Sequence, residues 1–471
     1  MKTDPNAAPA PAFRASVILV AGLAATSVFA HGATPVELAH QHALGVAFSI
    51  FASLLADYRG NLRNLVRADL MAITSLYFLT LFEFLLPQPD FNEMVNLPET
   101  QLALEACLCG FAGIALGRHL SPQAPDALRK QLGGNIPPRA FLTIFTASLV
   151  GGYLHMLLAV NFNLSDLLYY FNAPRFYQPW TRGKFGDWKA LLGEFGMVLY
   201  LVPPIAGIVF AKRREYSSGQ RFYVTAGFLF TVYYGFTTGT RNIFATYLAT
   251  FLVAYAFAMD QRKKRELVFV AGLVGVLMLG ATVLILRFRS IGFSAYLAGR
   301  TEVHEEEAKA HFFVDYNLYV IAKLTNVFPD RYPYLGLEIP YLSLVRPIPR
   351  AIWSGKPEGL SVSIEDAVGV EGLTLASSFV GEAYMSGGLF GVFLTGLAFG
   401  SFNGWWNRLG RMDNSPFGHL VFASGFFSAV ISMRSMFVFT TAILPTVAAL
   451  AIGLWLLGRR QLRRQAEDPS G

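Results

Sequence analysis

Residues 334–359 read YLGLEIPYLSLVRPIPRAIWSGKPEG, and residues 377–391 read SSFVGEAYMSGGLFG. The two stretches lie between long apolar segments, and the second enters the next segment, so the chain returns here to a membrane that it has left. Arg346, Arg350 and Lys356 lie close together, and the prolines between them stiffen the backbone. A rigid cationic loop beside a membrane is suited to hold an anionic molecule tethered in that membrane, such as a lipid phosphate.

The composition is that of an integral membrane protein. Of 471 residues, 54% are hydrophobic and only 15% are charged, whereas a soluble protein has about 25% charged residues. The net charge of +7 does not indicate a nucleic-acid partner, because the basic residues cluster in short loops between apolar segments. Cys107 and Cys109 lie two positions apart in an apolar helix pattern, which is the wrong spacing for a disulfide or a metal pair.

The pattern predicts an all-α polytopic membrane protein with about 12 transmembrane helices, each long enough to cross roughly 30 Å of hydrocarbon. We place these spans near residues 15–31, 39–57, 68–86, 100–117, 140–160, 190–211, 222–240, 242–260, 267–286, 376–404, 418–436 and 439–457. The run after Arg14 that ends in SVFAHGA fits either an uncleaved first span or a cleaved signal peptide.

The basic loops all fall on one side of the predicted topology, which the positive-inside tendency assigns to the cytoplasm together with both termini. The cations of this side are Arg59, Arg63, Arg67, Arg118, Arg129, Lys130, Arg139, Lys212, Arg213, Arg214, Arg262, Lys263, Lys264, Arg265, Arg408, Arg411, Arg459, Arg460, Arg463 and Arg464. The opposite side receives one large insertion between spans nine and ten. The predicted parts are a transmembrane bundle over 1–286, the insertion over 287–375, and C-terminal helices with a tail over 376–471.

Within the insertion, residues 302–327 begin charged and finish amphipathic, which predicts a helix on or near the membrane surface. Its acidic start, Glu302 to Glu307 with His304 and His311, is interpreted as a solvated helix face, and no metal site is predicted. Asp315, near the amphipathic boundary, is a candidate base.

Several cations lie at the predicted membrane boundary. Arg241, in the turn TTGTRN between spans seven and eight, is a functional candidate because charge so near hydrocarbon is costly, although a snorkelling arginine would look the same. Arg289 and Arg300 are open to two interpretations, phosphate binding or interfacial anchoring. Trp353, between Arg350 and Lys356, suits the headgroup level or a sugar ring, unless this loop only connects its neighbours.

Glu382 lies about two turns into span ten and could accept a proton from a sugar hydroxyl. Arg434, in span eleven, is predicted at a similar depth, so a structural Glu382–Arg434 ion pair is the alternative. The sequence contains no Walker loop, HExxH, paired CxxC or GxSxG. Their absence from the sequence argues against ATP-driven transport and against zinc or serine hydrolysis, and no cofactor is predicted.

The PRAIWSGKPEG loop, the SSFVGEAYMSGGLFG entry and the GTRN turn together resemble the Wzy-type O-antigen polymerases, or oligosaccharide repeat-unit polymerases, over roughly residues 190–440. The resemblance implies a membrane glycosyltransferase that works on the periplasmic face of a bacterial inner membrane. Its substrates would be oligosaccharide repeat units on undecaprenyl pyrophosphate. A chain-length regulator and a flippase are the further partners that the resemblance suggests, beside the lipid bilayer itself.

Under this resemblance, Arg241, Arg350 and Lys356 are assigned to the pyrophosphate, with Arg289 and Arg300 as lesser candidates. Trp353 and Arg434 complete the predicted substrate-binding set. Glu382 and then Asp315 are the candidates for positioning or deprotonating the acceptor sugar. Family members often carry asparagine where this chain has Ser386 or Gly387, which is a departure from the pattern.

Two other functions stay open. A ligase that moves finished polymer onto lipid A core shares the large arginine-bearing loop, but would be expected to carry a histidine near the functional arginine. A flippase or transporter would show internal symmetry and charges at mid-membrane, whereas a single large insertion favours catalysis.

Overall fold

The computed structural model describes residues 8–174, 177–180, 196–260, 263–289, 291–299, 317–348, 352–357, 359–369, 376–411 and 413–467, and these residues contain helices but no strand. The α-helices are α1 Phe13–Phe29, α2 Pro35–Tyr58, α3 Ala68–Thr80, α4 Phe91–Met94, α5 Leu97–Gly117, α6 Asp126–Leu132, α7 Pro138–Ala159, α8 Leu164–Phe171, α9 Val202–Ala211, α10 Ser218–Thr237, α11 Arg241–Ala258, α12 Lys264–Phe288, α13 Phe293–Leu297, α14 Asn317–Val327, α15 Glu338–Val345, α16 Ile364–Val368, α17 Ser378–Asn407, α18 Pro416–Ser424, α19 Phe426–Arg434, α20 Phe439–Ala442 and α21 Leu444–Glu467. Short 3₁₀ helices occupy Leu62–Leu65, Phe82–Leu85, Gly196–Leu201, Arg213–Glu215 and Met436–Val438. The predicted all-α fold is confirmed for this part of the chain.

Among the described residues, 8 helical segments are long and apolar enough to cross a membrane. They are Pro35–Tyr58, Leu97–Gly117, Pro138–Ala159, Arg241–Ala258, Lys264–Ile285, Ser378–Asn407, Pro416–Arg434 and Met436–Arg459. Shorter apolar helices stand at three further predicted spans, Phe13–Phe29, Ala68–Thr80 and Gly196–Ala211. The chain is therefore a helical membrane protein, while the total of about 12 spans stays a prediction.

Local capping residues set where individual spans begin. Asn96 accepts the backbone N–H of Glu99 at 2.9 Å, and the Glu99 carboxylate accepts the N–H of Asn96 at 3.4 Å. Ser217 and Gln220 form the same reciprocal cap before α10. Each pair satisfies donors that the first turn of a helix leaves without an intrahelical partner.

Helices α5 and α17 cross with their backbones in close approach. Gly396, Gly400 and Gly404 recur at every fourth position of α17. A Cβ atom on Gly400 would lie 2.4 Å from the carbonyl oxygen of Ile114, and one on Gly396 would lie 2.8 Å from that of Gly110. Small residues at this spacing let membrane helices approach until their backbones touch, so dispersion contacts hold the pair together.

We expect Gly400→Val to destabilise the protein by at least the roughly 1–3 kcal/mol typical of overpacking, because the backbone of Ile114 cannot turn aside as a side chain can. Thermal unfolding of the purified protein in detergent measures this loss. Gly272→Val on α12 is the matched control, since a Cβ atom there meets nothing within 4 Å. Equal losses in the two variants would contradict the close crossing.

Two arginines and two aspartates form a buried ion cluster where the ends of α2, α3 and α5 meet. Arg67 donates to Asp57 at 2.7 Å and to Asp69 at 2.9 and 3.0 Å. Arg118 donates to Asp69 at 3.1 Å and to Asp57 at 3.4 Å. All four side chains are 0% exposed. The charges balance within the cluster, which is the condition for burying ions.

Neutral polar groups from two further helices complete this cluster. Ser16 of α1 accepts from Arg118 at 2.7 Å, and Asn407, the last residue of α17, donates to Asp69. The sequence groups Arg67 and Arg118 with the loop cations of the cytoplasmic side. The structure instead buries both, so their charges are neutralised inside the protein and join the ends of five helices.

Helix α14 of the insertion is packed inside the bundle. Leu318 and Ile321 are fully buried and belong to the same core cluster as residues of α5 and α17. Lys323 pairs with Glu99 at 3.0 Å, which ties α14 to the start of α5. Helix α14 is therefore buried against other helices on most of its surface, and its position near the membrane surface stays a prediction; residues 302–316 lie outside the described residues.

Candidate functional site

Helix α17 is broken at Gly387–Gly388, where Gly388 has a positive φ of 62°. The break leaves carbonyl groups of the preceding turn open to other donors. The N–H of Leu335 donates to the carbonyl of Met385 at 2.8 Å. The N–H of Gly336 donates to the carbonyl of Ser386 at 3.0 Å. The insertion is thus hydrogen-bonded to the broken turn of a membrane helix, which fixes its position beside the bundle.

Glu382, one turn before this break, is buried, with 3% of its surface exposed. One carboxylate oxygen accepts the hydroxyl of Ser435 at 2.5 Å, and the other accepts the backbone N–H of Met436 at 2.5 Å. Because Met436–Val438 is a 3₁₀ helix, the carboxylate caps a helix start, where negative charge is favoured. Both carboxylate oxygens of Glu382 are therefore hydrogen-bonded to the two residues that follow Arg434.

We call residues 435–442 the connecting segment, because they join α19 to α21. Ser343 of α15 donates to the carbonyl of Met436 at 2.6 Å, and Thr440 donates to the carbonyl of Ser343 at 2.6 Å. The segment is thus held by Glu382 from α17 and by Ser343 from the insertion. A short 3₁₀ helix and α20 are held in this way between α19 and α21.

A cavity of about 300 Å³ is bordered by Arg434 and by Val438 of the connecting segment. Its aromatic lining comes from Tyr200, Tyr234 and Phe427, and the rings of Tyr200 and Phe427 stack at 3.8 Å. Its hydroxyl and amide groups belong to Gln178, Thr238, Thr240, Asn242 and Thr441. Aromatic surface beside several hydrogen-bonding groups is suited to a sugar, which presents both apolar C–H faces and hydroxyls.

One of the sequence-predicted cations, Arg434, lines this cavity, and two others lie at the turn beside it. Arg241 begins α11 and is half-buried, and its two neighbours in the chain line the cavity. Arg289 packs over the same turn, since its Cα and Cγ lie 3.5 Å from where a Cβ atom on Gly239 would be. Gly239 has a φ of 69°, which glycine adopts without strain, so glycine permits the turn. Arg434 reaches the cavity from α19.

A second and more open space, a groove of about 600 Å³, is lined by Phe437 of the connecting segment. Its other apolar residues are Leu342, Pro357, Leu360 and Ile364, and its charged residues are Arg346, Lys356 and Glu365. The Arg346 guanidinium also interacts electrostatically with the carboxylate of Glu382. Apolar surface with two cations and one carboxylate, a net positive charge, matches the chemistry of a lipid that carries an anionic headgroup.

The ammonium group of Lys356 helps to shape this groove. It donates to the carbonyl of Arg346 at 2.7 Å and to that of Ile348 at 3.0 Å. Trp353 is half-buried beside it, and the Trp353 carbonyl accepts the N–H of Lys356 at 3.2 Å. Lys356 therefore closes the proline-containing loop on itself while standing at the groove.

Three predicted site residues, Asp315, Arg300 and Arg350, lie outside the described residues, as do the acidic cluster from Glu302 to Glu307 and both of its histidines. Their roles stay predictions. The described candidates separate into two groups: Arg434 lines the cavity, with Arg241 and Arg289 at the adjoining turn, and Trp353 and Lys356 stand at the loop of the groove. Glu382 contacts the segment that borders both spaces.

Sequence reasoning missed the aromatic wall of the cavity. Tyr200, Tyr234 and Phe427 stand in three apolar helices, where an aromatic residue is normally core or lipid-facing, so no local signal distinguishes them. The three side chains come together only when their helices pack against one another, so the tertiary structure is needed to find them.

No known protein family, curated protein or solved structure matches this chain. The fold and the site define a helical membrane protein in which a cavity lined by Arg434 and a groove lined by Arg346 and Lys356 both border the connecting segment.

Proposed function

We propose that this protein is a membrane glycosyltransferase that polymerises oligosaccharide repeat units carried on undecaprenyl pyrophosphate, at the periplasmic face of a bacterial inner membrane, using about 12 spans. The product would be O-antigen or another surface polysaccharide. The observation that carries the proposal is the pair of cationic spaces that share the connecting segment. In such a polymerisation both donor and acceptor are attached to lipid pyrophosphates, so an enzyme needs two anion-binding places around one reaction centre.

We assign the donor to the cavity. There Arg241, Arg289 and Arg434 would face the pyrophosphate, while the aromatic and hydroxyl lining would hold the sugar next to it. A hydroxyl of the acceptor sugar attacks the anomeric carbon, and the bond from that carbon to the pyrophosphate oxygen breaks. The lipid pyrophosphate leaves with the electron pair of that bond, and the hydroxyl proton passes to water. Positioned guanidinium groups stabilise the charge that grows on the departing pyrophosphate. The energy resides in the glycosyl pyrophosphate bond, so no nucleotide is required.

We assign the acceptor's lipid end to the groove, where Leu342, Leu360 and Phe437 offer apolar surface and Arg346 and Lys356 offer positive charge. In this arrangement Glu382 acts on the substrates through the connecting segment, because both of its oxygens are already bonded. It is a positioning residue that sets the distance between the two spaces.

The first test uses membranes from cells that lack the gene and carry a plasmid copy. We expect the wild-type copy to restore a ladder of polymer lengths, and Arg289→Ala and Arg434→Ala to slow chain extension by about 10²–10³-fold, the loss seen when one group that stabilises transition-state charge is removed. Gel separation of the saccharides over a time course gives the rate. Arg287→Ala is the matched control, since Arg287 is exposed two positions before the half-buried Arg289.

The same experiment separates the competing functions. Deletion that leaves single repeat units on lipid A core supports the polymerase. Deletion that leaves full-length polymer on its lipid carrier would instead identify a ligase, and loss of every periplasmic unit would identify a flippase. Equal rates for Arg289→Ala and Arg287→Ala would overturn the assignment of the cavity.

A further inference from the structure

Helix α15 of the insertion is apolar on two opposite faces. Ile339 and Leu342 are buried against the protein. On the other face Leu344 is 69% exposed, and Leu337, the residue just before the helix, is 80% exposed. A helix that is apolar all round is normally enclosed by protein or by lipid, and here protein encloses only half of it.

The exposed apolar residues form one continuous stripe. Tyr341 and Leu344 lie three positions apart within α15, which places them on one face of the helix at 3.6 residues per turn. Leu337 is the residue just before α15, and Ile348 lies three residues after its end, each four positions from the helical pair. Tyr341 is 47% and Ile348 is 37% exposed. Four large apolar side chains in a row are more than the scattered surface residues of a folded protein, and mark a contact surface.

The position of α15 along the bundle identifies what covers this stripe. The chain just before α15 is bonded to the broken turn of α17 at Met385. From that break to Asn407, which lies in the buried ion cluster at the opposite end, α17 runs for about 20 residues or roughly 30 Å, the thickness of the hydrocarbon core. Phe390, just past the break, is 71% exposed on the span itself, so lipid-facing surface begins at this level.

We propose that residues 337–348 lie in the outer interface of the bilayer, with the stripe of Leu337, Tyr341, Leu344 and Ile348 inserted among the lipids. The insertion would then be a membrane-seated element rather than a loop surrounded by water. Arg346, on the opposite side of the helix, stands at headgroup level, where a cation is favourable. The proposal concerns a lipid surface and does not depend on the proposed function.

The test is fluorescence quenching in vesicles of phosphatidylethanolamine and phosphatidylglycerol. In a background with Cys107→Ala and Cys109→Ala, an environment-sensitive dye is attached to Leu344→Cys. Reference dyes are placed at Leu277→Cys, on the exposed face of the α12 span, and at Asp366→Cys, an exposed polar position of α16. We expect the Leu344 dye to resemble the Leu277 dye, with blue-shifted emission, strong quenching by spin-labelled lipid and little quenching by iodide.

A Leu344 dye that behaves like the Asp366 dye, quenched by iodide and not by spin-labelled lipid, would overturn the proposal. Protection from both quenchers would overturn it as well, since it would place a second protein copy on the stripe. Leu337→Cys supplies an independent reading from the other end of the stripe, in case one label disturbs folding. The polymer assay is not used, so a failure here leaves the proposed function untouched.

Discussion

Arg67→Ala should cost about 3–5 kcal/mol, the range for removing one partner of a buried ion pair, and should leave little folded protein in the membrane. The reason lies in the charges that remain. Asp57 and Asp69 would share Arg118 alone, so one negative charge would stay uncompensated in a site that is 0% exposed. A loss of this size approaches the whole stability of an ordinary domain, roughly 5–15 kcal/mol. Size-exclusion chromatography after heating steps measures the surviving fraction.

The matched control is Arg411→Ala, which removes the same ion type from an Arg–Asp pair at the surface. Arg411 and Asp413 lie 2.8 Å apart with side chains 33% and 47% exposed, and pairs of this kind contribute about 0–1 kcal/mol. A further variant, Arg67→Ala with Asp57→Asn, restores neutrality and should recover part of the loss. If the single variant were as stable as Arg411→Ala, the cluster would not hold the helix ends together.

Glu382→Ala should abolish polymer extension, while Glu382→Gln should retain most of it. Alanine leaves the N–H of Met436 without its acceptor and releases the connecting segment from α17. Glutamine can keep both contacts, because its amide oxygen accepts from Met436 and its NH₂ group donates to the Ser435 oxygen after the hydroxyl rotates. The expected loss for glutamine is far below the roughly 10²–10⁴-fold that general-base catalysis contributes. Initial rates of extension at several pH values measure the difference.

The outcome decides between the two roles that the sequence left open for this residue. If Glu382 accepts the acceptor's proton, glutamine should fail as completely as alanine, and the acidic limb of the pH profile should vanish. If Glu382 positions the connecting segment, glutamine should keep the wild-type profile. Ser435→Ala, which removes one of the two contacts, should then show an intermediate rate. Protein levels in the membrane must be equal in all variants for the comparison to hold.

Part of the candidate site could be found from sequence because its signal is local. Arg241 and Arg434 stand out as charges in apolar surroundings, where few are kept without a purpose. Arg434 lines the cavity, and Arg241 lies between two residues that line it. Arg289 was equally open to anchoring or to binding, and its packing over Gly239 is a contact between distant parts of the chain. The predicted Glu382–Arg434 ion pair shows the limit of this reasoning. The carboxylate of Glu382 instead accepts hydrogen bonds from Ser435 and Met436, the two residues after Arg434.

In the insertion, the amphipathic pattern did not identify which helix keeps an exposed apolar face. Residues 302–327 were predicted to lie on or near the membrane surface because they begin charged and finish amphipathic, but α14 is packed against α5 and α17. The exposed apolar face belongs to α15, whose sequence is apolar on both sides and so carries no clear periodic signal.

The sequence by itself determined that this is a helical membrane protein, where its long apolar segments lie, and which charges stand in unusual places, because hydrophobic length and local composition depend on neighbouring residues only. Tertiary structure alone decided that Arg67 and Arg118 are buried, that α17 breaks and receives the insertion, and that aromatic residues of three helices enclose one cavity. These features arise from contacts between residues that are tens to hundreds of positions apart, such as Arg118 with Asp69 and Asp69 with Asn407. No local pattern encodes them, since each partner alone has several acceptable environments.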